Sequence, residues 1–396
     1  MKKTLVAPSA LVNNNDIIQP AVIEINNDII TKISNHIPKK TDNLIKLDDT
    51  VLLPGLTNAH AHLELTGIGP LKEHGFVSWI KELIKAKTRQ TPTDVVDSLH
   101  KGSQLLLSSG VTTTIDHISF DSPIAAYKKL SGTFIGFGEV VGSIEPISRM
   151  IYERLQDLQR ASPIELNLTL HAIQTVNENI IREFLKNDEP PFSVHLCEYG
   201  EEQEYFQNNT GPFYDYVVER FPELKGLNRH QAPSAIQYLD KHNEALHHSL
   251  IIHANYIDAA DIAILNKWQN ICVVHCPGSF AFFQHDQFPF EQYKINNIKM
   301  ALGTDGLVCN EQLNYLREIQ LFLDRFPQIS LTELMPMITT NALEAIGVTK
   351  RGLIKEGYFA DIIGFNYHKQ LDIRETLSQA EKVCFCMTNG LPQQGL

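Results

Sequence analysis

The feature that most constrains the fold of this chain is an alternation between short apolar runs and amphipathic segments of helical length. The apolar runs have the length of strands, and the segments between them carry apolar residues at helical spacing. Eight runs lie at residues 51–60, 111–118, 133–141, 165–172, 192–198, 249–255, 271–277 and 298–305. Continuous apolar strands that alternate with helices indicate a parallel sheet covered by helices. Eight such units predict an α/β fold with a (β/α)8 TIM-type barrel.

Both ends of the chain differ from this alternating middle because they are rich in β-prone residues. Residues 21–25 (AVIEI) and 28–33 (DIITKI) are separated by two asparagines, which predicts a hairpin. Residues 357–365 and 382–387 are again short, apolar and β-prone. We therefore expect residues 1–55 and 349–396 to form a small β-sandwich domain from both termini. Residues 56–348 are then expected to form the barrel.

The net charge, the apolar runs and the cysteine content indicate which partners and which cellular compartment suit this chain. The formal net charge of −12 and the lack of a Lys/Arg-rich block argue against a nucleic-acid surface. No apolar run reaches the roughly 18 residues that a membrane helix needs. The N-terminus lacks the apolar stretch of a signal peptide, and the six cysteines form no CxxC pair. These features predict a cytoplasmic protein with reduced thiols that acts on a small molecule, without a membrane or nucleic-acid partner.

Ionisable side chains gather at the carboxyl ends of the apolar runs, where the chemistry of such a barrel is located. The first run ends in His60 and His62, which point to the same face if they lie on a strand. The ends of later runs carry Asp116 and His117, His171, His195 and Glu198, His253, His275, and Asp305. This ring of imidazoles and carboxylates predicts a metal site.

A hydrolytic metal site needs about three or four nitrogen or oxygen ligands and one open position for water. A bound metal lowers the pKa of that water to about 7, and a carboxylate that is not a ligand then moves its proton. Glu198 suits this second task because it follows His195 by three residues, just beyond the end of a strand near Cys197.

Five segments of the chain resemble the amidohydrolase superfamily, and in particular its deaminase and chlorohydrolase branch. They are LPGLTNAHAHLEL, GVTTTIDH, HLCE, LGTDGLVCN and GLIKEGYFADIIGF, and they occur in this order over nearly the whole chain. The resemblance implies one divalent metal ion, zinc or alternatively iron, held by His60, His62, His195 and Asp305. It also implies that Glu198 is the proton shuttle, that His253 orients the metal-bound water, and that His171 faces the substrate.

One metal is expected rather than two. Binuclear members of the superfamily carry a carboxylated lysine at the end of strand four, and this chain has His171 there. Two departures from the branch argue against a simple purine nucleoside as substrate. Phe280 replaces the asparagine of an HCPxSN motif, and no PxE glutamate follows Trp79.

The segments NAHAHLEL, FVSWI, GEVVGS and HLCEYGEE are most similar to the aminodeoxyfutalosine deaminases of menaquinone biosynthesis. Those enzymes act on an adenine-bearing nucleoside whose sugar carries a benzoate ketone. Trp79, Glu139 and Ser143 are predicted to contact the substrate, although a purely structural role is an alternative for each. His117 and His275 are expected to pack or to support the metal ligands.

The resulting hypothesis is a metal-dependent aminohydrolase that deaminates a heteroaromatic ring, such as the adenine of 6-amino-6-deoxyfutalosine or a related nucleoside. Metal-bound hydroxide would attack the ring carbon that bears the amine, with Glu198 as proton shuttle. The alternatives are a chlorohydrolase or cyclic-amide hydrolase on the same site, and a non-catalytic nucleoside-binding protein with a structural metal. The resemblance further implies a homodimer.

Overall fold

The computed structural model describes residues 2–37, 43–242, 245–366 and 372–393. The N-terminal strands are β1 (Lys2–Ala7), β2 (Ser9–Val12), β3 (Asp16–Ile18), β4 (Ala21–Asn26), β5 (Ile29–Ser34), β6 (Leu44–Lys46) and β7 (Thr50–Pro54). Strands β4 and β5 pair antiparallel, as the two apolar runs around the asparagine pair predict. Asn27 in the turn has a φ of 57°, a left-handed conformation that asparagine tolerates better than most residues.

The central strands follow the predicted apolar runs along the chain. They are β8 (Leu56–Ala61), β9 (Val111–Ile118), β10 (Thr133–Val140), β11 (Glu165–Leu170), β12 (Phe192–Leu196), β13 (Ser249–His253), β14 (Ile271–His275) and β15 (Met300–Leu302). They form two parallel sheets, ordered β8-β9-β10-β11 and β12-β13-β14-β15. Single parallel bridges, Ala61–Asp305 and Ala172–His195, connect the sheets at their edges. The α/β class and the TIM-barrel type of fold are thereby confirmed.

Helices occupy the segments between these strands. They are α1 (Phe76–Lys87), α2 (Pro92–Ser108), α3 (Glu145–Ala161), α4 (Glu178–Asn187), α5 (Glu201–Asn208), α6 (Pro212–Arg220), α7 (Ala235–Lys241), α8 (Ala259–Leu265), α9 (Pro277–Phe282), α10 (Phe290–Ile295), α11 (Tyr315–Arg325), α12 (Leu331–Thr339) and α13 (Asn341–Ala345). Short 3-10 turns lie at Leu63–Leu65, Ile124–Lys129, Ile173–Thr175, Pro222–Leu224 and Leu307–Cys309. Among the helices of the described residues, none has the length and apolar character needed to cross a membrane.

Helix ends follow local sequence signals. Thr91 caps α2 through a reciprocal pair of hydrogen bonds with Asp94, and Ser330 caps α12 in the same way with Glu333. Gly110 follows the end of α2 with a φ of 87°, a conformation that suits glycine. The capping residues thus mark where α2 and α12 begin, and Gly110 marks the end of α2 before β9.

The C-terminal elements are β16 (Ile362–Asn366), α14 (Ile373–Gln379), β17 (Phe385–Thr388) and β18 (Leu391–Pro392). Strands from both ends of the chain share one six-stranded sheet with the order β18-β17-β16-β7-β2-β3, and a second sheet has the order β5-β4-β1-β6. Leu5 of β1, Leu52 of β7 and Ile362 of β16 belong to a single buried apolar cluster. The two termini therefore come together, as the β-rich ends predict.

A separate apolar cluster lies along the parallel strands and supports their carboxyl ends. It contains Ala59 of β8, Ile115 of β9, Phe137 of β10, Ile252 of β13 and Ala301 of β15, all at most 1% exposed. The ionisable residues that follow these positions are therefore attached to buried, well-packed strands. Precise placement of a functional site requires such support.

Candidate metal centre and active site

The carboxyl ends of four strands bring the predicted imidazoles and one carboxylate together. Nε2 of His60 lies 3.5 Å and Nε2 of His62 lies 3.7 Å from Oδ1 of Asp305. Nε2 of His253 lies 3.8 Å from Oδ2 of the same carboxylate. The ring centroids of His60 and His195 are 4.8 Å apart. Residues from distant parts of the chain thus converge around Asp305.

The backbone turns sharply where these side chains emerge. Cys197, His253 and Asp305 have φ angles of 52°, 65° and 58°, which is uncommon for residues other than glycine. Such strained positions persist where the surrounding structure holds them, and they cluster at functional sites. Gly303 is required for another reason: a Cβ atom there would lie 2.9 Å from Cβ of His60 and 3.1 Å from Sγ of Cys276.

Burial favours the neutral form of His62, His171, His195 and His253. It is the main cause that lowers the pKa of His62 and of His253 to about 3 and the pKa of His171 to about 4. Burial likewise holds the pKa of His195 well below its usual range. Burial opposes ionisation of Asp305, but the electrostatic interaction with the neighbouring rings of His60, His253 and His62 outweighs it and keeps the pKa of Asp305 well below its usual range. Neutral imidazoles and an ionised carboxylate are the forms in which these groups bind a metal.

Hydrogen bonds at Nδ1 of His60 and at Nδ1 of His195 determine which nitrogen of each ring faces the cluster. Nδ1 of His195 donates to the carbonyl oxygen of His171 at 2.8 Å. Nδ1 of His60 lies 2.9 Å from Nδ1 of His117, whose Nε2 lies 2.8 Å from the hydroxyl of Ser193. If Nδ1 of His60 carries the proton, the chain of donors runs consistently outward to Ser193. Nε2 of both His60 and His195 is then free to bind a cation.

The donor set fits a divalent metal ion. Ligand atoms of His60, His62 and His195, and those of His60, His253 and Asp305, lie within 4.8 Å of one another in each group. Nε2 of His60 and Nε2 of His253 are buried and form no hydrogen bond with any described residue. Buried polar atoms without a partner are costly. A cation would satisfy Nε2 of His60, and a water beside that cation would satisfy Nε2 of His253. Imidazole and carboxylate ligands suit zinc and iron.

Glu198 lies at the edge of this cluster, on the turn that follows β12. Its Oε1 atom is 3.6 Å from Nε2 of His253. Its backbone is held on both sides, because its N–H donates to Oε1 of Glu202 at 2.8 Å and its carbonyl accepts from Nδ2 of Asn255 at 2.9 Å. Burial, followed by the charges of Asp305 and Glu202, raises the pKa of Glu198 well above its usual range. A carboxyl whose protonated form is favoured in this way is suited to hold a proton and pass it on.

Two of the predicted substrate residues lie directly beside the cluster. The ring of His171 stacks on that of His195 with centroids 4.8 Å apart, and its Nδ1 contacts the hydroxyl of Thr175 at 3.0 Å. Oε1 of Glu139 lies 3.6 Å from Nδ1 of His195, and it is buried without a hydrogen bond from the described residues. Burial is the main cause that raises the pKa of Glu139 well above its usual range.

Trp79 and Ser143 lie farther from the cluster. The indole N–H of Trp79 donates to the carbonyl of Val308 at 3.1 Å, and its ring contacts Phe76 and Phe283. Ser143 is buried beyond β10 and forms no hydrogen bond with the clustered side chains of the described residues. A substrate contact by either residue stays a prediction.

His117 and His275 have different surroundings, which the sequence did not distinguish. His117 contacts His60, as described above, whereas the ring of His275 stacks on Phe288 with centroids 3.8 Å apart. Phe280, the departure from the HCPxSN motif, packs edge-on against His275. Aromatic rings thus surround His275, which indicates packing.

Sequence reasoning missed the residues that join the strand ends. Nδ2 of Asn58 donates to the hydroxyl of Thr304 at 2.7 Å, and its Oδ1 accepts the backbone N–H of Thr304 at 3.0 Å. The carbonyl of His60 accepts the N–H of Asp305 at 3.0 Å. These bonds connect β8 to the end of β15 and bring His60 to Asp305. Their signal in the sequence was present, since Asn58 and Thr304 each lie within two residues of a predicted ligand.

Two curated relatives are similar to this chain over most of its length. A 5-methylthioadenosine/S-adenosylhomocysteine deaminase of Pyrococcus furiosus is 24% identical over 363 residues, 87% of this chain and 82% of that protein. An aminodeoxyfutalosine deaminase of a Nitratiruptor species is 24% identical over 394 residues, 95% of this chain and 93% of that protein.

Among solved structures, the fold matches that of Helicobacter pylori aminofutalosine deaminase in complex with methylthio-coformycin. The TM-score is 0.84 at 18% identity, and the match covers 99% of this chain and 100% of that one. This similarity shows a shared fold. The model of the amidohydrolase family matches residues 51–390. The chain therefore belongs to the amidohydrolase family and is a hydrolase that acts on carbon–nitrogen bonds.

Proposed function

We propose that this enzyme deaminates the adenine ring of a nucleoside, with 6-amino-6-deoxyfutalosine as the preferred candidate substrate. The observation that carries the proposal is the position of Glu198. Its buried carboxyl lies 3.6 Å from His253, at the edge of the cluster of imidazoles around Asp305. A structural metal site would need no spare acid there, so this arrangement favours a hydrolytic site over a non-catalytic binding site.

In this proposal His60, His62, His195 and Asp305 hold one divalent ion, zinc or alternatively iron. When bound, such an ion lowers the pKa of a coordinated water to about 7 and so supplies a nucleophile at neutral pH. The unpartnered Nε2 atom of His60 and the low pKa values of the imidazoles support this assignment. His171 at the end of β11 supports a single ion, since it stands where binuclear members have a lysine.

Glu198 moves the protons of the reaction. It accepts a proton from the attacking water and passes it to the ring nitrogen beside the carbon that bears the amine. Glu198 then transfers the proton of the newly added hydroxyl to the amine nitrogen. The bond between the ring carbon and this nitrogen breaks, ammonia leaves and a carbonyl stays on the ring. The overall reaction consumes one water and one aminated ring for each ammonia. The raised pKa of Glu198 supports this role, because a proton carrier must hold its proton before it passes it on.

His253 positions the attacking water. Its Nε2 atom lies between Oε1 of Glu198 at 3.6 Å and Oδ2 of Asp305 at 3.8 Å. Burial keeps the ring neutral, with a pKa of about 3, so a single hydrogen bond through Nε2 can orient the water without adding a charge. Orientation of this kind accounts for a substantial part of the rate of hydrolytic enzymes.

The nucleoside part of the proposal rests on the residues beside the cluster and on the relatives. His171 and Glu139 supply polar groups next to His195, and Trp79 lies in an aromatic patch with Phe76. Ser143 is the least supported of the predicted contacts. Both relatives described above are named for deamination of adenine-bearing compounds. We prefer aminodeoxyfutalosine because that relative aligns with 95% of this chain, and this substrate would place the enzyme in menaquinone biosynthesis.

The decisive test is an ammonia-release screen of the zinc-loaded protein. We expect release from aminodeoxyfutalosine, with 5′-methylthioadenosine, adenosine, guanine and cytosine as comparison substrates. No ammonia from any of them would contradict deamination. A parallel assay of chloride release from a chlorinated triazine, and of ring opening of a cyclic amide, tests hydrolysis of another bond by the same site.

We further propose that residues 56–348 close into a (β/α)8 barrel and that residues 1–55 and 349–396 form a β-sandwich. The bridges between Ala61 and Asp305 and between Ala172 and His195 support closure. The apolar cluster shared by the two terminal sheets supports the sandwich. Limited proteolysis tests these boundaries, since cleavage should fall between the units. A homodimer, to be tested by light scattering, and a cytoplasmic location complete the proposal.

A further inference from the structure

A buried guanidinium without a counter-ion lies in the segment between α6 and α7. Arg229 is 7% exposed, and its Nη1 atom is buried and forms no hydrogen bond with any described residue. Its Nη2 atom makes one long hydrogen bond, 3.4 Å, to the carbonyl of Val176. In the part of the chain that the structure describes, no carboxylate oxygen lies within 4.0 Å of this guanidinium. Buried arginine is normally paired, because an isolated charge is costly to remove from water.

The groups around Arg229 add donors rather than a compensating acid. The backbone N–H of Arg229 donates to Oδ1 of Asn209 at 3.2 Å, which fixes the orientation of that amide. Nδ2 of Asn209 is then a donor, and it is also buried without a partner among the described residues. Glu178 lies in the same region, where its Oε1 atom accepts the backbone N–H of His230 at 2.9 Å, but neither of its oxygens lies within 4.0 Å of the guanidinium. Unpaired donors around a positive charge are complementary to an anion.

The position of this anion site connects it to the substrate. Val176, which contacts the guanidinium, follows Thr175, whose hydroxyl lies 3.0 Å from Nδ1 of His171. Val176 also forms a parallel bridge with Gly142, the residue before Ser143. Arg229 thus borders the ends of β10 and β11, beside residues proposed to face the substrate.

A second cation near these strand ends is not free to play this part. Nζ of Lys87 donates to Oε1 of the buried Glu64 at 2.9 Å and also contacts the hydroxyl of Ser119. Its charge is therefore already compensated. Arg229 is different because its charge lacks such a partner in the described structure.

We propose that Arg229, assisted by Asn209, binds a carboxylate carried on the sugar side of the nucleoside substrate. This inference rests on the proposed deaminase function and specifies its substrate class: an anionic adenine nucleoside is preferred over a neutral one. A guanidinium offers two parallel hydrogen bonds to a carboxylate, which gives both affinity and orientation. The charge of Arg229 is then paired only when substrate is bound.

The test compares the acid with its uncharged methyl ester and with a neutral nucleoside. The wild-type enzyme is assayed with aminodeoxyfutalosine, with the methyl ester of its benzoate, and with neutral 5′-methylthioadenosine. We expect a KM for the acid that is about 10- to 100-fold lower than that for the ester, as one charge-assisted contact implies. Arg229→Gln should remove this difference by raising the KM for the acid alone, with kcat unchanged. Arg229→Lys should retain part of the preference.

Arg154→Gln on α3 is the matched control, because this arginine is exposed, and it should change neither KM. Thermal unfolding of each variant shows whether the fold is intact, and Asn209→Ala gives an independent variant if Arg229→Gln fails to fold. Equal effects of Arg229→Gln on acid and ester would overturn the inference, as would a wild-type enzyme that does not distinguish them or that deaminates only 5′-methylthioadenosine.

A calorimetric measurement separates this inference from the proposed function. If none of the three compounds releases ammonia, the proposed deamination fails, and binding of the acid and the ester then decides the present inference on its own. Tighter binding of the acid that disappears in Arg229→Gln would support it. Equal or undetectable binding of both compounds would contradict it.

Discussion

The Nδ1 atoms of His60 and His117 lie 2.9 Å apart, and this contact begins a chain of hydrogen bonds that continues from His117 to Ser193. The chain fixes the ring of His60 and directs its Nε2 atom toward Asp305. We expect His117→Ala to lower metal affinity about 10- to 100-fold, because a ligand without its supporting hydrogen bond is poorly oriented and less basic. Titration with a competing chelator measures this change. His36→Ala on the exposed surface is the control, and an unchanged affinity in His117→Ala would remove the supporting role.

Replacement of Asp305 should remove the bound metal and the activity. Asp305→Asn loses a negative charge that three imidazoles approach to within 3.8 Å. We expect the purified variant to contain little metal and to lack activity, and we expect a chelator to abolish the activity of the wild-type enzyme. Elemental analysis should give one ion per wild-type chain. Asp324→Asn, on the exposed face of α11, should retain that ion, and a fully loaded Asp305→Asn would contradict the assignment.

Glu198→Gln should have the opposite pattern. It preserves the size of the side chain but cannot accept a proton, so we expect metal content to stay normal while kcat falls about 100- to 10,000-fold. Steady-state assays combined with elemental analysis measure both quantities. Glu201→Gln, three residues along the chain and exposed, should behave like the wild type. Retained turnover in Glu198→Gln would mean that another group carries the proton.

Gly303→Ala tests how closely β15 must approach β8. The new methyl group would lie 2.9 Å from Cβ of His60 and 3.1 Å from its backbone nitrogen, so His60 or the strand must shift. We expect a loss of roughly 1–3 kcal/mol in stability, typical of overpacking, together with weaker metal binding. Thermal unfolding with and without metal measures the two effects. Gly75→Ala, where a Cβ would meet only the Oγ of Ser78 at 3.1 Å, should cost much less.

The buried carboxyl of Glu318 should make the free energy of unfolding depend on pH. Burial is the main cause that raises the pKa of Glu318 to about 8, despite hydrogen bonds from Asn310 and from the N–H of Gly278. The folded chain therefore binds this proton more tightly than the unfolded chain, whose glutamates titrate near pH 4.3 or so. The stabilisation that this proton provides is fully present below that pH and is lost as the pH rises through about 8.

Glu318→Gln cannot ionise and should lack this dependence. We expect it to unfold near the wild-type temperature at pH 5 and a few degrees above the wild type at pH 9. Calorimetric scans at several pH values measure the difference between the two proteins. A difference that does not change with pH would show that Glu318 is ionised throughout.

Much of the candidate site could be predicted because the candidate metal ligands follow apolar strands along the chain. His60, His62, His195, His253 and Asp305 each stand at or just beyond the end of a predicted strand, and parallel strands of one barrel end on the same side. The order of the strands therefore predicts that these side chains lie at the same end of the fold. The pattern of apolar runs likewise predicted the β8–β15 strands, since a strand buried on both faces needs apolar residues throughout.

Local sequence did not distinguish residues whose role depends on contacts across the fold. His117 and His275 both close an apolar run, yet one contacts His60 and the other stacks on Phe288. Arg229 reads as an ordinary loop arginine, and only its burial without a counter-ion makes it a candidate anion site.

By itself, the amino-acid sequence determined the alternation of strands and helices, the union of its two β-rich ends in one sheet, and which side chains stand at the strand ends. Only the tertiary structure decided which of these side chains face one another, which nitrogen of each imidazole points inward, and which charges remain unpaired. Periodicity is a property of neighbours along the chain, whereas hydrogen bonding, burial and pKa depend on groups that folding brings together from distant positions.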